Sequence, residues 1–540
     1  MKIIKAAAVY CVLLFTIWST ATTSELRFCL RSEPKTFNPL LVDDDASDTV
    51  RYLTGGVLVR INRQTQSLEP ELAISWKISK DGRTIAFTLR DKVFFSDGSP
   101  FGAEDVAYTV ERMMDPELHS PTGDSFRSAP GKTTVRVIDR THVAITFPAM
   151  VAALDRLFDQ VAIISVRSAN KDKAVLGAYY VADYRVGAYV MLKRNPNYWK
   201  RDIAGRQLPY IDTLWLEIQA NRDIEALRFK RGEIHLINSV DAEYYDRLTP
   251  ATSGLHDAGP SLDSEQMWFN QVPGAPLPAY KLEWFKSQKF RRAISEAINR
   301  DDLVRVVFGA HAQPAIGPVS PANKIWFNTK LQPIRYDSTN ALRMLSHDGF
   351  RKQNGMLLDR DGHAVEFSIV TNAGNKYRER MAAMIQQDLA RVGIKVNVVT
   401  LDFPSLIERM TQSFNYEAVL LGLTNVEADP NSQMNVWLSS GDNHQWNPRQ
   451  KSPATAWEAE IDQLMRTQAS ATTFKERKAA WDRIQEIASE QVPFIYLVNK
   501  NALSAVSPSI SGASPVAFRP QSFWNIEHWA FRDSGRNGGK

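Results

Sequence analysis

Three residue patterns in this chain could do chemistry, and each lacks a part. Gly131-Lys132-Thr133 ends like a phosphate-binding loop, whose backbone amides and lysine cradle phosphate oxygens. That loop needs a glycine five residues earlier, but position 126 is Phe, and the stretch leads into a strand-like run, not a helix. The nine histidines are scattered. No His-x-x-x-His pair places two imidazoles on one helix face, and no compact His–carboxylate cluster is expected, so no metal site follows. His444, within Gly441-Asp442-Asn443-His444, reads as solvent-facing. No Gly-x-Ser-x-Gly elbow presents a serine nucleophile. Asp301-Asp302 reads as a helix cap. The expectation is a protein with no catalytic residues and no cofactor. An enzyme would instead gather perturbed titratable groups in one cleft.

The two cysteines, Cys11 and Cys29, lie in different settings. Met1-Lys2-Ile3-Ile4-Lys5 is a short basic segment, Ala6 to Ile17 is apolar, and Ser19-Thr20-Ala21 supplies small residues for a peptidase. This is the layout of a secretory signal cleaved after Ala21. The rival reading is an uncleaved anchor. A lipoprotein would need a small residue before Cys11, where Tyr10 stands. Removal of the signal leaves Cys29 alone, in the alternating run Leu26–Leu30, as a small buried hydrophobe. The protein is therefore expected outside the cytoplasm, periplasmic or otherwise secreted, and without a disulfide.

The remaining positions must hold a fold that gives function without such a site. At 540 residues the chain exceeds one ordinary core, and two or three lobes are expected. The net charge of +5 includes Lys2 and Lys5 of the signal. With no basic stripe, nucleic acid is excluded as a partner. Asp81-Gly82 reads as a hairpin turn between strands in Ser75–Arg90. Ala103 to Met114 places Ala103, Val106, Ala107, Val110 and Met114 on one helix face. Arg378–Val392, Gly393 and Ile394–Thr400 read as helix, stop and strand. Further helices are expected over Arg222–Arg231, Phe290–Ile298 and Phe474–Ser489. Strands and helices alternate irregularly, which indicates mixed α/β lobes. The tail from Ser534 reads as disordered.

Blocks of residues then carry a resemblance. They include Glu33-Pro34-Lys35-Thr36-Phe37-Asn38-Pro39 and Leu68-Glu69-Pro70-Glu71-Leu72-Ala73-Ile74-Ser75-Trp76. Phe95-Ser96-Asp97-Gly98-Ser99-Pro100 follows, leading into Ala103-Glu104-Asp105-Val106. After these come Lys193-Arg194-Asn195-Pro196-Asn197-Tyr198-Trp199, Leu208-Pro209-Tyr210-Ile211-Asp212 and Phe290-Arg291-Arg292-Ala293-Ile294. In this order, from about Leu26 to Trp529, they resemble the family 5 extracellular solute-binding proteins of ABC transporters, which include oligopeptide- and dipeptide-binding proteins.

The resemblance implies an α/β bilobed periplasmic-binding-protein clamshell, type II-like, with an extra small domain on the first lobe. Residues 22–67, 177–265 and 492–533 would form lobe I, 68–176 the small domain, and 266–491 lobe II. Crossings are expected near Gln266–Asn270 and Val492–Leu497. The implied function is capture of a peptide and delivery to an inner-membrane permease with its ATPase subunits, by a monomer. In peptide binders of this family an aspartate in the second lobe meets the ligand amine. Here Gly422-Leu423-Thr424-Asn425-Val426-Glu427-Ala428-Asp429-Pro430 places Val426 at that position. Three readings follow: a peptide held by main-chain bonds, an amine anchored by Glu427 or Asp429, or a ligand without an amine, such as an oligosaccharide, an opine-like compound or a chelated metal. A chemoreceptor or chaperone partner on the same scaffold is the other alternative. Candidate cleft residues are Phe37, Asn38, Trp268, Phe269, Asn270, Asn425, Glu427, Asp429, Trp437, Asn443 and Trp446. Trp437 and Trp446 facing the cleft would favour a sugar.

Overall fold

Two long strands, Leu255–Phe269 and Phe494–Val506, tie the molecule together. They run antiparallel at the centre of one eleven-stranded mixed sheet. The computed structural model describes residues 24–124, 126, 131–168, 173–249, 254–423 and 428–532. From one edge the sheet runs Lys395–Leu401, Glu366–Asn372, Ala418–Leu423, then the two central strands, then Leu236–Ile237, Glu25–Leu30, Thr213–Ile218, Tyr189–Arg194 and Tyr179–Arg185. Ala312–Pro314 pairs beside Phe494–Val506.

The two central strands belong to both lobes. Leu255–Asp257 pairs with Leu503–Ala505, whose next residue meets Leu236 of the first lobe. Ser264–Phe269 pairs with Leu423–Ala418 of the second lobe. Between these stretches the register slips at Asp257/Pro260, Pro260/Ser264 and Glu265/Gln266. Such bulges bend a strand and raise its twist. Gly259, at φ +79°, takes a conformation that side chains rarely adopt.

Side-chain burial corrects the expected crossing points. Met267 and Phe269 lie in one second-lobe core, with Ile495, Leu497 and Val498. Trp268, Phe494 and Tyr496 lie in the other, across the sheet. Stretches with apolar side chains on both faces must be covered on both faces, so Gln266–Asn270 and Val492–Leu497 sit inside the second lobe. The chain changes lobe earlier on the first strand, between Asp257 and Ser264, and later on the second, at Asn499–Asn501, where both strands turn polar.

The first lobe packs Leu26, Phe28 and Leu30 against Leu214, Leu216, Phe523 and Trp529. Beside it stands a four-stranded antiparallel sheet, in the order Ala73–Ile78, Thr84–Leu89, His142–Thr146, Thr134–Asp139. Its hairpin turns at Gly82, φ +67°, as Asp81-Gly82 indicated. The helix Ala103–Met114 closes this small core with Val106, Val110 and Met113, all fully buried. Each such side chain contributes about 1.5–3 kcal/mol relative to exposure. Asp105 starts the helix: its carboxylate accepts the Gly102 N–H at 2.8 Å and the Val166 N–H at 2.9 Å. Among the described residues no helix is long and apolar enough to cross a membrane.

Candidate ligand cleft

The lobes meet on both flanks of the crossing. The first-lobe residue Gln66 donates to the Ala322 carbonyl at 2.6 Å and accepts the Lys324 N–H at 3.1 Å. Ser320 Oγ donates to the Ser261 carbonyl at 2.5 Å. Arg519 of the first lobe lies 3.3 Å from Asp263 on the crossing strand. The parallel strands Glu25–Leu30 and Thr213–Ile218 of one lobe, and Glu366–Asn372 and Ala418–Leu423 of the other, end toward this junction. Ligands of open α/β sheets bind beyond such carboxyl ends.

The second-lobe wall has an unfinished edge. Ala418–Leu423 is paired along its whole length with the crossing strand. On its other side it pairs with Glu366–Asn372 only at Ile369–Val370 opposite Ala418–Val419. Among the described residues the backbone edge of Leu421–Leu423 is thus without a paired strand beside the junction, in the arrangement to which an extended peptide adds as a strand.

The floor is polar. Glu265, 2% exposed, receives Arg378 Nε at 2.8 Å and Lys500 Nζ at 3.3 Å. Removing a carboxylate from water costs several kcal/mol unless charge and hydrogen bonds offset it, and two cations do so here. Beside it, Gln266 is fully buried. Among the described residues it is the one buried side chain with two unpartnered polar atoms, Oε1 and Nε2.

Several expected cleft residues have other work. Asn270 donates to the Phe414 and Tyr416 carbonyls, both at 2.8 Å, and accepts the Val272 N–H at 3.0 Å. Trp268 and Phe269 are core residues on opposite faces of the sheet. Trp437 and Trp446 are 1% and 0% exposed. Their rings pack on each other at 6.2 Å and on Phe494 at 6.2 and 5.1 Å, so neither is a platform for a sugar. Asp429 takes a two-pronged ion pair from Arg477, at 2.6 and 3.1 Å, and receives the Asn431 N–H. Phe37 is half-buried, edge-on to Tyr184 at 5.0 Å. Asn38 closes its own turn by accepting the Leu40 N–H. Asn443 is exposed. Asn425, Val426 and Glu427 lie outside the described residues.

Two further expectations change. His444 is buried, with Nδ1 2.9 Å from the Val436 carbonyl and Nε2 3.2 Å from Glu458. Burial by itself would raise the Glu458 carboxyl. Hydrogen bonds from His444, Gln450, Trp446 and Thr455 outweigh it and pull the group down to about 2. Asp359, Asp361 and His363 do form a compact cluster, with ligand-capable atoms within 4.8 Å of one another. A turn draws them together: Asp359 accepts the Asp361 and His363 N–H groups. Its other oxygen faces Trp284 Nε1 and His363 Nδ1. Sequence reasoning missed Glu265, Gln266, Arg378 and Lys500. The available signal was a run of polar residues, Asp263 to Gln266, feeding directly into Met267-Trp268-Phe269.

The family profile described as "Bacterial extracellular solute-binding proteins, family 5 Middle" matches residues 67–445. The chain is 26% identical over 524 residues to a probable ABC transporter-binding protein of Deinococcus radiodurans, covering 88% of this chain and 87% of that one. It shares its fold with the oligopeptide-binding protein AppA of Bacillus subtilis, solved with a nonapeptide. That likeness has a TM-score of 0.69 and 23% identity, covering 94% and 99% of the two chains. It also matches NikA of Brucella suis, solved with Fe(III)-EDTA, at a TM-score of 0.79 and 19% identity, covering 94% and 100%.

Proposed function

The chain belongs to the bacterial extracellular solute-binding proteins of family 5, and from that premise we propose that it captures a peptide outside the cytoplasm and hands it to an ABC permease. The observation that carries the peptide reading is the edge at Leu421–Leu423, beside the lobe junction and, among the described residues, short of a neighbour strand. A peptide added there gains main-chain hydrogen bonds whatever its side chains, with the lobes closing over it. Closure follows because a ligand touching both lobes favours the state in which both contacts exist. The protein acts as a monomer, exported by the signal ending at Ala21, and works with a permease and its ATPase subunits. It turns over no substrate.

A second reading rests on Asp429. Its carboxylate is engaged by Arg477, and position 426 is a valine, so a ligand without a free amine, such as a chelated metal, fits the same cleft. Native mass spectrometry of the purified protein separates the two. A ladder of peptide masses supports the peptide reading. A single non-peptide mass refutes it.

A further inference from the structure

His311 of the second lobe stands between two carboxylates. Its Nδ1 lies 3.1 Å from Asp257 at the first-lobe end of the crossing strand, and its Nε2 lies 3.0 Å from Asp246 on the first-lobe helix Ala242–Leu248. The helix is anchored in the first lobe by Ala242 and Leu248, which pack with Phe229 and Ile237. His311 is anchored in the second by its neighbours Phe308 and Ala312. Gly309, at φ +56°, allows the close approach: a Cβ there would fall 2.6 Å from Asp246 Oδ2.

A neutral imidazole donates from one nitrogen and presents a lone pair at the other. Set against two carboxylates, one contact would then be lone pair against lone pair. Both contacts are attractive only in the imidazolium form. We propose that protonated His311 is a clasp that holds the second lobe shut against the first, making closure of the cleft proton-linked.

The surroundings are arranged for this role. The Tyr245 ring lies 4.6 Å from the imidazole. Asn501 Nδ2 holds Asp257 at 3.0 and 2.9 Å, and the Asn501 N–H donates to the His311 carbonyl at 3.1 Å. On the same strand Lys500, opposite Ala312, turns its charge to Glu265. From the helix that follows Glu366–Asn372, Tyr377 stacks on Phe308, and its hydroxyl sits 3.5 Å from the Glu243 N–H. The groups whose charge acts on the ring are thus Asp246 and Asp257. Partial burial would lower the imidazole, but these two carboxylates outweigh it and hold the group above its ordinary value. The sign follows: the clasp is complete below the ordinary histidine value of about 6.5 and is lost as pH rises through the raised one.

Closure is the step on which the proposed solute capture rests. The clasp, however, is made of the protein's own side chains and is tested without solute, so it stands or falls separately from the identity of the solute. The test is small-angle X-ray scattering of full-length ligand-free protein near pH 5.5 and near pH 8.5. Wild type, His311→Gln and Asp246→Asn are compared. Wild type is expected to open at the higher pH, its closed-to-open ratio falling about fivefold or more, the scale of ordinary coupling between sites. Neither variant should show the step. A wild type with the same dimensions at both pH values overturns the clasp. So does a variant that keeps the full step. Asp246 is more than half exposed on its helix, which keeps the comparison usable should His311→Gln fold poorly.

Discussion

Replacing Asn270 with alanine separates a structural role from a ligand-binding one. Asn270 is fully buried at the end of the first crossing strand. Its amide donates to the carbonyls of Phe414 and Tyr416 and accepts the Val272 N–H. Phe414 itself stands at φ +52°, a conformation a bulky residue avoids, and the bond from Asn270 helps hold it there. Each lost hydrogen bond removes about 1 kcal/mol net, and each buried group left unpaired adds about 1–3 kcal/mol. Three bonds with partial relaxation give a loss of about 3–5 kcal/mol. For a unit of 150–250 residues, 1 kcal/mol lowers the melting temperature by about 2–4 °C. Asn270→Ala should therefore lower the second-lobe transition by roughly 6–20 °C in scanning calorimetry. The folded protein should still carry the solute found in wild type. A shift under about 2 °C, below what 1 kcal/mol produces, together with loss of that solute, would refute the reasoning and return Asn270 to the cleft.

Other outcomes follow from buried groups. Glu458, pulled down to about 2, contributes stability above the ordinary carboxylate range that disappears as pH falls toward 2. Urea midpoints measured down that range should fall steeply for wild type and more gently for Glu458→Gln. Equal slopes would remove Glu458 from acid unfolding. Burial, helped by Glu225, raises the Cys29 thiol to about 12. The folded protein should resist iodoacetamide at pH 8 and react on unfolding, because the thiolate is the nucleophile. Rapid labelling of the native state would show that Cys29 is accessible.

The local parts of the fold were legible in the residues. Ala103 to Met114 formed a helix because its apolar spacing matched one face. Asp81-Gly82 turned because glycine accepts positive φ at no steric cost. The blocks from Glu33 to Val106 and beyond, in order, indicated two lobes joined by strands. The 15-residue strand Leu255–Phe269 was not legible. Gly259-Pro260 and the serines after it look like a loop, and only pairing with Phe494–Val506, more than 200 residues on, makes them a strand.

The site divided in the same way. Sequence determined that Val426 could not neutralise an amine, since that depends on residue type alone. Tertiary structure decided what Trp446, Asp429, His444 and His311 do. Trp446 is spent on Phe494, Asp429 on Arg477, and His444 on Glu458. His311 found its two carboxylates 65 and 54 positions away. A residue's chemistry is written in its side chain, but its partner is set by which distant segments the core brings within 3 Å or so, the reach of a hydrogen bond. Three of these meetings lie within the second lobe, and that of His311 lies where the lobes join.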